Sequence, residues 1–518
     1  MSDGRDRKYL VLAAMLFAVS MTFIDMTIVS IAMPEIQKEL GLSQTGGQWV
    51  VNAYLLSLAA VFSLGGRLAD IAGQRTMVLV GVIIFVLASV ANGLTPTGDF
   101  AEAWIIGFRV IQGAGAALLY PASVAIIISA FPISQRGRAL AIFFSVAGGL
   151  TSIGPLAGGY LSEWTWRAIF FVNVPVAVVA VVLTLVARPI NHKVAAHLDL
   201  RGAVLVGAGM GLSVLGLQQA SVWGWTNPAT WGSIAVGLAV LVAFVLVELR
   251  VDQPLMEIRI FRDRAFFVES IVLFLTMMAF VPIFFFASLY VQISLGWSVS
   301  TAGLFLLIFF AGFAPAAQIG GRILDKVGAK PAVVLGATLA AAGFGLWAWK
   351  VTDLSASAQW PFIVMAGAGM GLLVGQANTD ALNRVPNTMY GVATGITQTV
   401  RNYGSSLGMA VLGTVLITVT TTHVESSLTA EGLSKSQADE VAHALTQSGG
   451  GDQSQFSQEA GSQAEKIFED VQLDFAYGIR WVLVGMVIAM ALTTIVALVG
   501  LRMGRAPRDP ESSALVSE

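Results

Sequence analysis

The chain has 518 residues, of which 56% are hydrophobic and only 12% charged, with a mean hydropathy of +0.77 and a formal net charge of −2. This composition excludes a soluble globular protein and a basic nucleic-acid binder. With no cysteine there are no disulfides, thiolate metal sites or cysteine nucleophiles. The sequence reads as an all-α, polytopic integral membrane protein whose surroundings are the lipid bilayer.

At the N-terminus Arg5, Arg7 and Lys8 precede an apolar run that starts at Tyr9 and carries only one charge, Asp25, before Pro34. A basic start followed by an apolar stretch is the outline of a secretory signal, but no small-residue cleavage site follows and the run is long enough to span. A charge at the middle of a bilayer helix costs about 2.5–3.5 kcal/mol even on insertion scales, so Asp25 has a use or a partner. With about 20 apolar residues per span, the chain predicts fourteen helices: 9–33, 48–66, 76–94, 103–131, 139–161, 168–187, 202–220, 230–249, 265–294, 300–321, 331–350, 360–383, 393–419 and 476–501. An even number places both termini on one side. Arg136 and Arg138, the group Arg188, Lys193 and Arg201, the arginines 250 to 264, and Arg322, Lys326 and Lys330 fall on that same side, which is therefore expected to be cytoplasmic. The longest opposite loop, 421–475, holds ten acids against Lys435 and Lys466 and is expected to be an external cap. Helical spacing near 434–446 and 462–474 predicts two short surface helices in it, joined by a flexible "QSGGGDQSQ" stretch. Residues 503–518 form a cytoplasmic tail.

The chain repeats itself. "GRLADIAGQR" at 66–75 and "GRILDKVGAK" at 321–330 share one pattern, each directly after an even-numbered span, as two equivalent halves would. Gly66, Arg67, Asp70, Gly73 and Arg75, with Gly321, Arg322, Asp325 and Gly328, are read as gate loops on the cytoplasmic side. Asp70 and Asp325 are expected to cap the next helix or pair with a nearby arginine. The division is then 1–190 for an N-terminal six-helix bundle, 191–264 for two inserted helices, and 265–518 for a C-terminal six-helix bundle. The inserted spans carry no charge except Glu248 at one end and are expected at the periphery.

Asp25 and Arg109 lie about eight and six residues from the outer ends of helices 1 and 4, so at 1.5 Å per residue both sit roughly 9–12 Å deep. Opposite charges at matching depth predict an interaction. Burial favours a neutral carboxyl and a neighbouring guanidinium a charged one, so proton loading depends on how dry the site is. Gly149, Gly154, Pro155, Gly158 and Gly159 put small residues along a proline-weakened fifth helix, a plausible pivot. Glu269, Asp380 and Arg401 are expected to form a second charge cluster in the C-terminal half, the two acids only about four residues, or 6 Å, from the inner surface. A chamber facing these charges is expected to draw on Asn52, Tyr54, Tyr120, Phe285, Tyr290, Gln292, Gln318, Gln376, Asn378 and Gln398. No P-loop, catalytic triad or metal-ligand cluster is evident, so neither an enzyme nor a bound cofactor or metal is expected.

These stretches resemble the major facilitator superfamily, in its fourteen-helix drug:proton antiporter branch. "IDMTIVSIAMP" is similar to that branch's first-helix motif, matching at Asp25, Thr27, Ala32 and Pro34 and departing at Ile24, Ser30 and Met33. "GRLADIAGQR" resembles the loop between helices two and three, "FRVIQGAGAA" at 108–117 the basic fourth-helix motif, and "GGLTSIGPLAGGYL" at 148–161 the antiporter motif of helix five. "WTWRAIFFVNVP" at 164–175 follows in the same order. The resemblance implies a multi-pass protein of the cytoplasmic membrane, functional as a monomer, that exports small amphipathic compounds, expected to be cationic, against protons. Asp25 is expected to carry the proton, with substrate competing for its charge. A nutrient uniporter or symporter of the same fold, and a non-transporting scaffold or receptor, are the alternatives.

Overall fold

The computed structural model describes residues 3–191, 193, 198–385, 390–430 and 464–504. Among them the chain forms fourteen long helices and no strand. The first six are α1 (Asp3–Leu40), α2 (Gln44–Ala72), α3 (Gln74–Gly93), α4 (Ala101–Ala130), α5 (Ile133–Trp164) and α6 (Ala168–Ala187). Two more follow, α7 (Leu200–Trp223) and α8 (Pro228–Glu248), and then α9 (Arg264–Ile293), α10 (Val299–Val327), α11 (Ala329–Lys350), α12 (Ala356–Asn383), α13 (Tyr390–Ala430) and α14 (Ala464–Gly500). All but α5 are long and apolar enough to cross a membrane. The 32-residue α5 is long enough as well.

Local chemistry fixes where these helices begin. The side chains of Ser43, Asp199, Asp263 and Ser298 accept from backbone N–H groups in the first turns of α2, α7, α9 and α10. Asn227 does the same for α8, with Pro228 at the first helical position, where its missing N–H costs nothing. Gly73 and Gly328 end α2 and α10 at φ +98° and +94°, a conformation most side chains avoid, and each donates back to the carbonyl four residues earlier. The two repeat loops therefore make the same turn.

The expected caps are not there. Asp70 lies beside Arg67 within α2, and Asp325 is exposed within α10, each before the glycine that starts the next helix. The first turn of α3 is instead held by Asn191, from the segment after α6, whose side chain accepts the Arg75 N–H at 3.1 Å. Aspartates inside the preceding helix point away from the turn that follows it, which is why they cannot cap.

Within the first six helices α1 packs on α5 and α6, and α4 on α2 and α3; α12 packs on α10 and α11 and α14 on α11 and α13 in the last six. The halves meet through α2 with α13, α5 with α10, and α1 with α9. One apolar core runs through both. The end of the bundle carrying Arg67, Arg188 and Arg322 is here the basic end, and the end carrying Leu40, Trp164 and Ser300 the basic-poor end.

Two expectations need correction. The inserted helices are not both peripheral: α8 is largely exposed, but α7 packs against α2 of the first half and α13 of the second. Gln218 of α7 is fully buried and accepts from Asn52 at 2.5 Å, while Asn52 accepts from Ser406 of α13 at 2.5 Å. Ser213 bonds Tyr403 at 2.8 Å, and Thr414 donates to the Leu217 carbonyl at 2.7 Å. Uncharged amides and hydroxyls, invisible to a reading that searched these spans for charge, hold α7 in place. The second correction concerns the polar loop: its 464–474 portion is not a separate surface helix but the start of α14, and α13 continues to Ala430. The expected piece at 434–446 and the 447–463 stretch lie outside the described residues.

Substituting Gln218 with alanine strands the buried Asn52 amide, which costs about 1–3 kcal/mol. A lower melting temperature of the purified Gln218→Ala protein is expected, and an unchanged one would show that α7 is not held by this contact.

Candidate functional site

Asp25 stands on α1 with no exposed surface, and one of its oxygens accepts from Arg109 Nη1 of α4 at 2.5 Å. Its other oxygen accepts from Gln112 Nε2 at 2.8 Å. Gln112 turns its own oxygen to Arg109 at 2.9 Å and to Asn92 at 3.0 Å, so one amide closes a ring around the ion pair. Arg109 is further fixed by its Nε–H donating to the Val50 carbonyl at 2.9 Å and by the Tyr54 ring 4.4 Å below the guanidinium. Tyr54 in turn donates to the Thr22 carbonyl at 3.3 Å. Arg109, Gln112 and Asn92 are as fully buried as Asp25. Such a pair survives in a dry interior only when hydrogen bonds meet most of its remaining atoms, and here they meet both carboxylate oxygens, while Arg109 Nη2 is buried without a partner among the described residues. Gln112 was legible only as three residues after Arg109 on the same helix face.

A narrow chamber lies beside this pair, between the halves. From the first half it is lined by Phe23, Phe62 and Tyr120, among others, and from the second by Phe280, Gln398 and Arg401. The Phe23 and Phe62 rings stand 5.8 and 5.4 Å from the Tyr120 ring, and Gln398 donates to the Tyr120 hydroxyl at 2.8 Å across the interface. Asp25 does not line the chamber; Thr22 and Met26, either side of it, do. The Asp25 carboxyl is therefore closed off from the chamber in this structure, which gives no support to direct competition for its charge there.

The remaining expected chamber residues are dispersed. Asn52 and Tyr54 belong to the polar networks already described. Phe285 packs edge-on against Phe286, and Tyr290 donates to the Val351 carbonyl at 2.8 Å and accepts from Gln359 at 2.6 Å, both inside the second half. Gln376 ties α12 to the Ala317 carbonyl of α10 at 3.0 Å. Gln318 is exposed, and Asn378 is half-buried on α12, away from the chamber lining. Gln292 donates to the Ile31 carbonyl at 3.1 Å and so joins the halves near the basic-poor end. One-sided helical spacing cannot say which apolar face meets lipid and which meets a neighbour, which is why these assignments fail.

The expected second cluster divides. Glu269 and Asp380 are neighbours and both buried, rather than reaching water, and Arg384, which caps the end of the Asp380 helix, donates to Asp380 at 2.6 Å. Glu269 faces the Asp380 carboxyl across the contact between their helices. Arg401 stays apart from them in the chamber wall.

The α5 glycines explain how the halves approach. A Cβ at Gly154 would run into the Thr27 hydroxyl of α1, and one at Gly159 into the Ser300 backbone of α10. Gly303 of α10 meets the Pro155 carbonyl just as closely. Gly158 lies over the Ile28 carbonyl, and Thr27 donates to the Thr151 carbonyl at 3.0 Å. Gly149 lies in α5. Nearby, Glu39 accepts from Trp166 at 2.7 Å and Arg167 at 2.5 Å, fastening the end of α1 to the "WTWR" turn. At the basic end Arg67 donates to Gln253 at 3.0 Å, Gly66 and Arg75 are half-buried, Gly321 borders open space and Arg322 is exposed.

Two bundles around a central chamber, with a buried acid–arginine pair and repeated gate turns, define a transporter rather than an enzyme. The family model of the major facilitator superfamily matches residues 15–409, and the chain belongs to that superfamily. It is 32% identical over 422 residues to a tetracenomycin C resistance and export protein of Streptomyces glaucescens, covering 80% of this chain and 77% of that one. A puromycin resistance protein of Streptomyces alboniger is 33% identical over 416 residues, covering 79% and 82%. Among solved structures, an inward-facing bacterial homolog of the human lysosomal transporter Spinster superposes with a TM-score of 0.62 at 17% identity, over 95% of this chain and 98% of that one.

Removing one member of a buried pair costs about 3–5 kcal/mol, because the other charge is left alone. Arg109→Ala is expected to lower the yield of folded, monodisperse protein, and the double change Asp25→Asn with Arg109→Gln to recover it without recovering transport. Equal yields for Arg109→Ala and the unaltered protein would contradict the pairing.

Proposed function

We propose that this transporter exports small amphipathic compounds from the cell in exchange for protons, with Asp25 as the proton carrier. It works in the cytoplasmic membrane with both termini inside, as a monomer, and alternates access to the chamber by rocking its two halves. The relatives, a tetracenomycin C resistance and export protein and a puromycin resistance protein, support the direction of transport. The observation that carries the proton-coupled reading is the fully buried Asp25 carboxylate, clasped by Arg109 and Gln112.

A proton reaching Asp25 cancels one charge of the pair, while Arg109 keeps its Val50, Gln112 and Tyr54 contacts. Charge-assisted hydrogen bonds are roughly twice as strong as neutral ones, so protonation loosens α1 from α4. From α1 the movement passes to α5 through Gly154 and Thr27, and from α5 to α10 of the other half through Gly159, Pro155 and Gly303. Close-packed contacts of this kind transmit displacement instead of absorbing it. Proton and substrate are then coupled through helix position rather than by sharing one carboxylate. The expectation of cationic substrates finds no acid among the chamber-lining residues to support it.

Inverted membrane vesicles with an imposed pH gradient, supplied with amphipathic fluorescent compounds of positive, neutral and negative charge, test this reading. Asp25→Asn at unaltered protein level is expected to reduce uphill uptake to that of vesicles lacking the transporter. Full activity would pass the proton-carrying role to Glu269 and Asp380.

A further inference from the structure

Three arginines sit within the helical bundle away from its outer surface, and they differ in how their charge is met. Arg109 has Asp25 at 2.5 Å and Arg384 has Asp380 at 2.6 Å. Arg401, in the first third of α13, has no carboxylate partner among the described residues, and its Nε–H is buried with nothing to donate to. Near it stands the Tyr120 hydroxyl, which already accepts from Gln398. A guanidinium keeps its charge at any physiological pH, and an uncompensated one in a largely apolar wall is costly unless water or an anion meets it.

That arginine is also the one charged side chain among the described residues lining the chamber. Around it the second half supplies Gln398, Asn402 and Ser405, and the first half faces it with the aromatic group of Phe23, Phe62 and Tyr120. A planar cation with open donors, small polar groups beside it and aromatic rings opposite suits an aromatic compound that carries an acidic group. About 50 Å³ is free in this conformation, so a ligand enters only when the halves part. An organic cation placed in the same chamber meets repulsion from Arg401 and no compensating acid.

We propose that Arg401 anchors the carboxylate or phenolate of aromatic, acidic substrates in the chamber, so that this transporter prefers weak organic acids over cations. The proposal deepens the export reading and rests on the chamber being its substrate site. It separates the two charge tasks of the protein: Asp25 with Arg109 handles the proton, and Arg401 handles the substrate. Arg401 is expected in the helix-thirteen sequence only as a member of an acid cluster, and its solitude becomes visible only once the acids are placed elsewhere.

Purified transporter in lipid nanodiscs tests the preference by equilibrium dialysis, with empty nanodiscs as the control for partition into lipid. The probes are 9-anthracenecarboxylate, its uncharged carboxamide and 9-(aminomethyl)anthracene, which share a ring system and differ in charge. One charge-assisted contact predicts that the carboxylate binds about ten-fold or more tightly than the amide, and the amine weakest. Arg401→Gln is expected to bring carboxylate and amide to equal affinity, and Arg401→Lys to keep part of the difference. A monodisperse size-exclusion profile and an unaltered melting temperature show that Arg401→Gln is folded. Equal affinities in the unaltered protein, preference for the amine, or a carboxylate preference that survives Arg401→Gln would each overturn the proposal. Binding needs no proton gradient, so a carboxylate preference without proton-driven uptake would sink the export reading and leave the anchor standing.

Discussion

A carboxylate without exposed surface, held by a guanidinium and an amide on a neighbouring helix, is the interaction around which the first half of this transporter is arranged. In lipid each of its members would be prohibitively placed alone, so Asp25 obliges α4 to lie where Arg109 and Gln112 reach it. Arg109 in turn obliges α2 to present the Val50 carbonyl and the Tyr54 ring. Three helices are thereby registered by one charge.

The second constraint is close approach. Where α5 meets α1 and α10, no side chain fits between the backbones at Gly154, Gly159 and Gly303. Helices this near cannot slide independently, and the interface between the halves inherits any movement of α1. Farther along, Gln292 and Ser288 reach across to the Ile31 carbonyl and Glu163 bonds the Ser300 hydroxyl, all toward the basic-poor end. The opposite gate turns at Gly73 and Gly328 share geometry but not neighbours: Asn191 braces the first, and an exposed Arg322 precedes the second.

Much of this was legible because the membrane makes some signals loud. Apolar runs of spanning length and the duplicated loops located the helices, and a lone Asp25 and Arg109 at equal depth located the pair. Uncharged polar side chains were silent by comparison. Gln112, Asn92, Gln218 and Ser406 look like ordinary residues of apolar helices, yet they close the ion-pair ring or wedge α7 between the halves. Likewise, depth along a helix does not give the face on which a residue lies. Glu269, Asp380 and Arg401 were grouped by depth, and rotation about the helix axes sends the arginine to the chamber and the acids elsewhere.

The central claim is that Asp25 takes up and releases the exchanged proton. Infrared difference spectra of the purified protein between acidic and alkaline pH observe this directly, because a protonated carboxyl has its own carbonyl band and a carboxylate lacks it. The account predicts such a band in the unaltered protein and its loss, among the carboxyl bands, in Asp25→Asn. Superimposable difference spectra for the two proteins would mean that Asp25 does not titrate, and the buried pair would be a fixed brace.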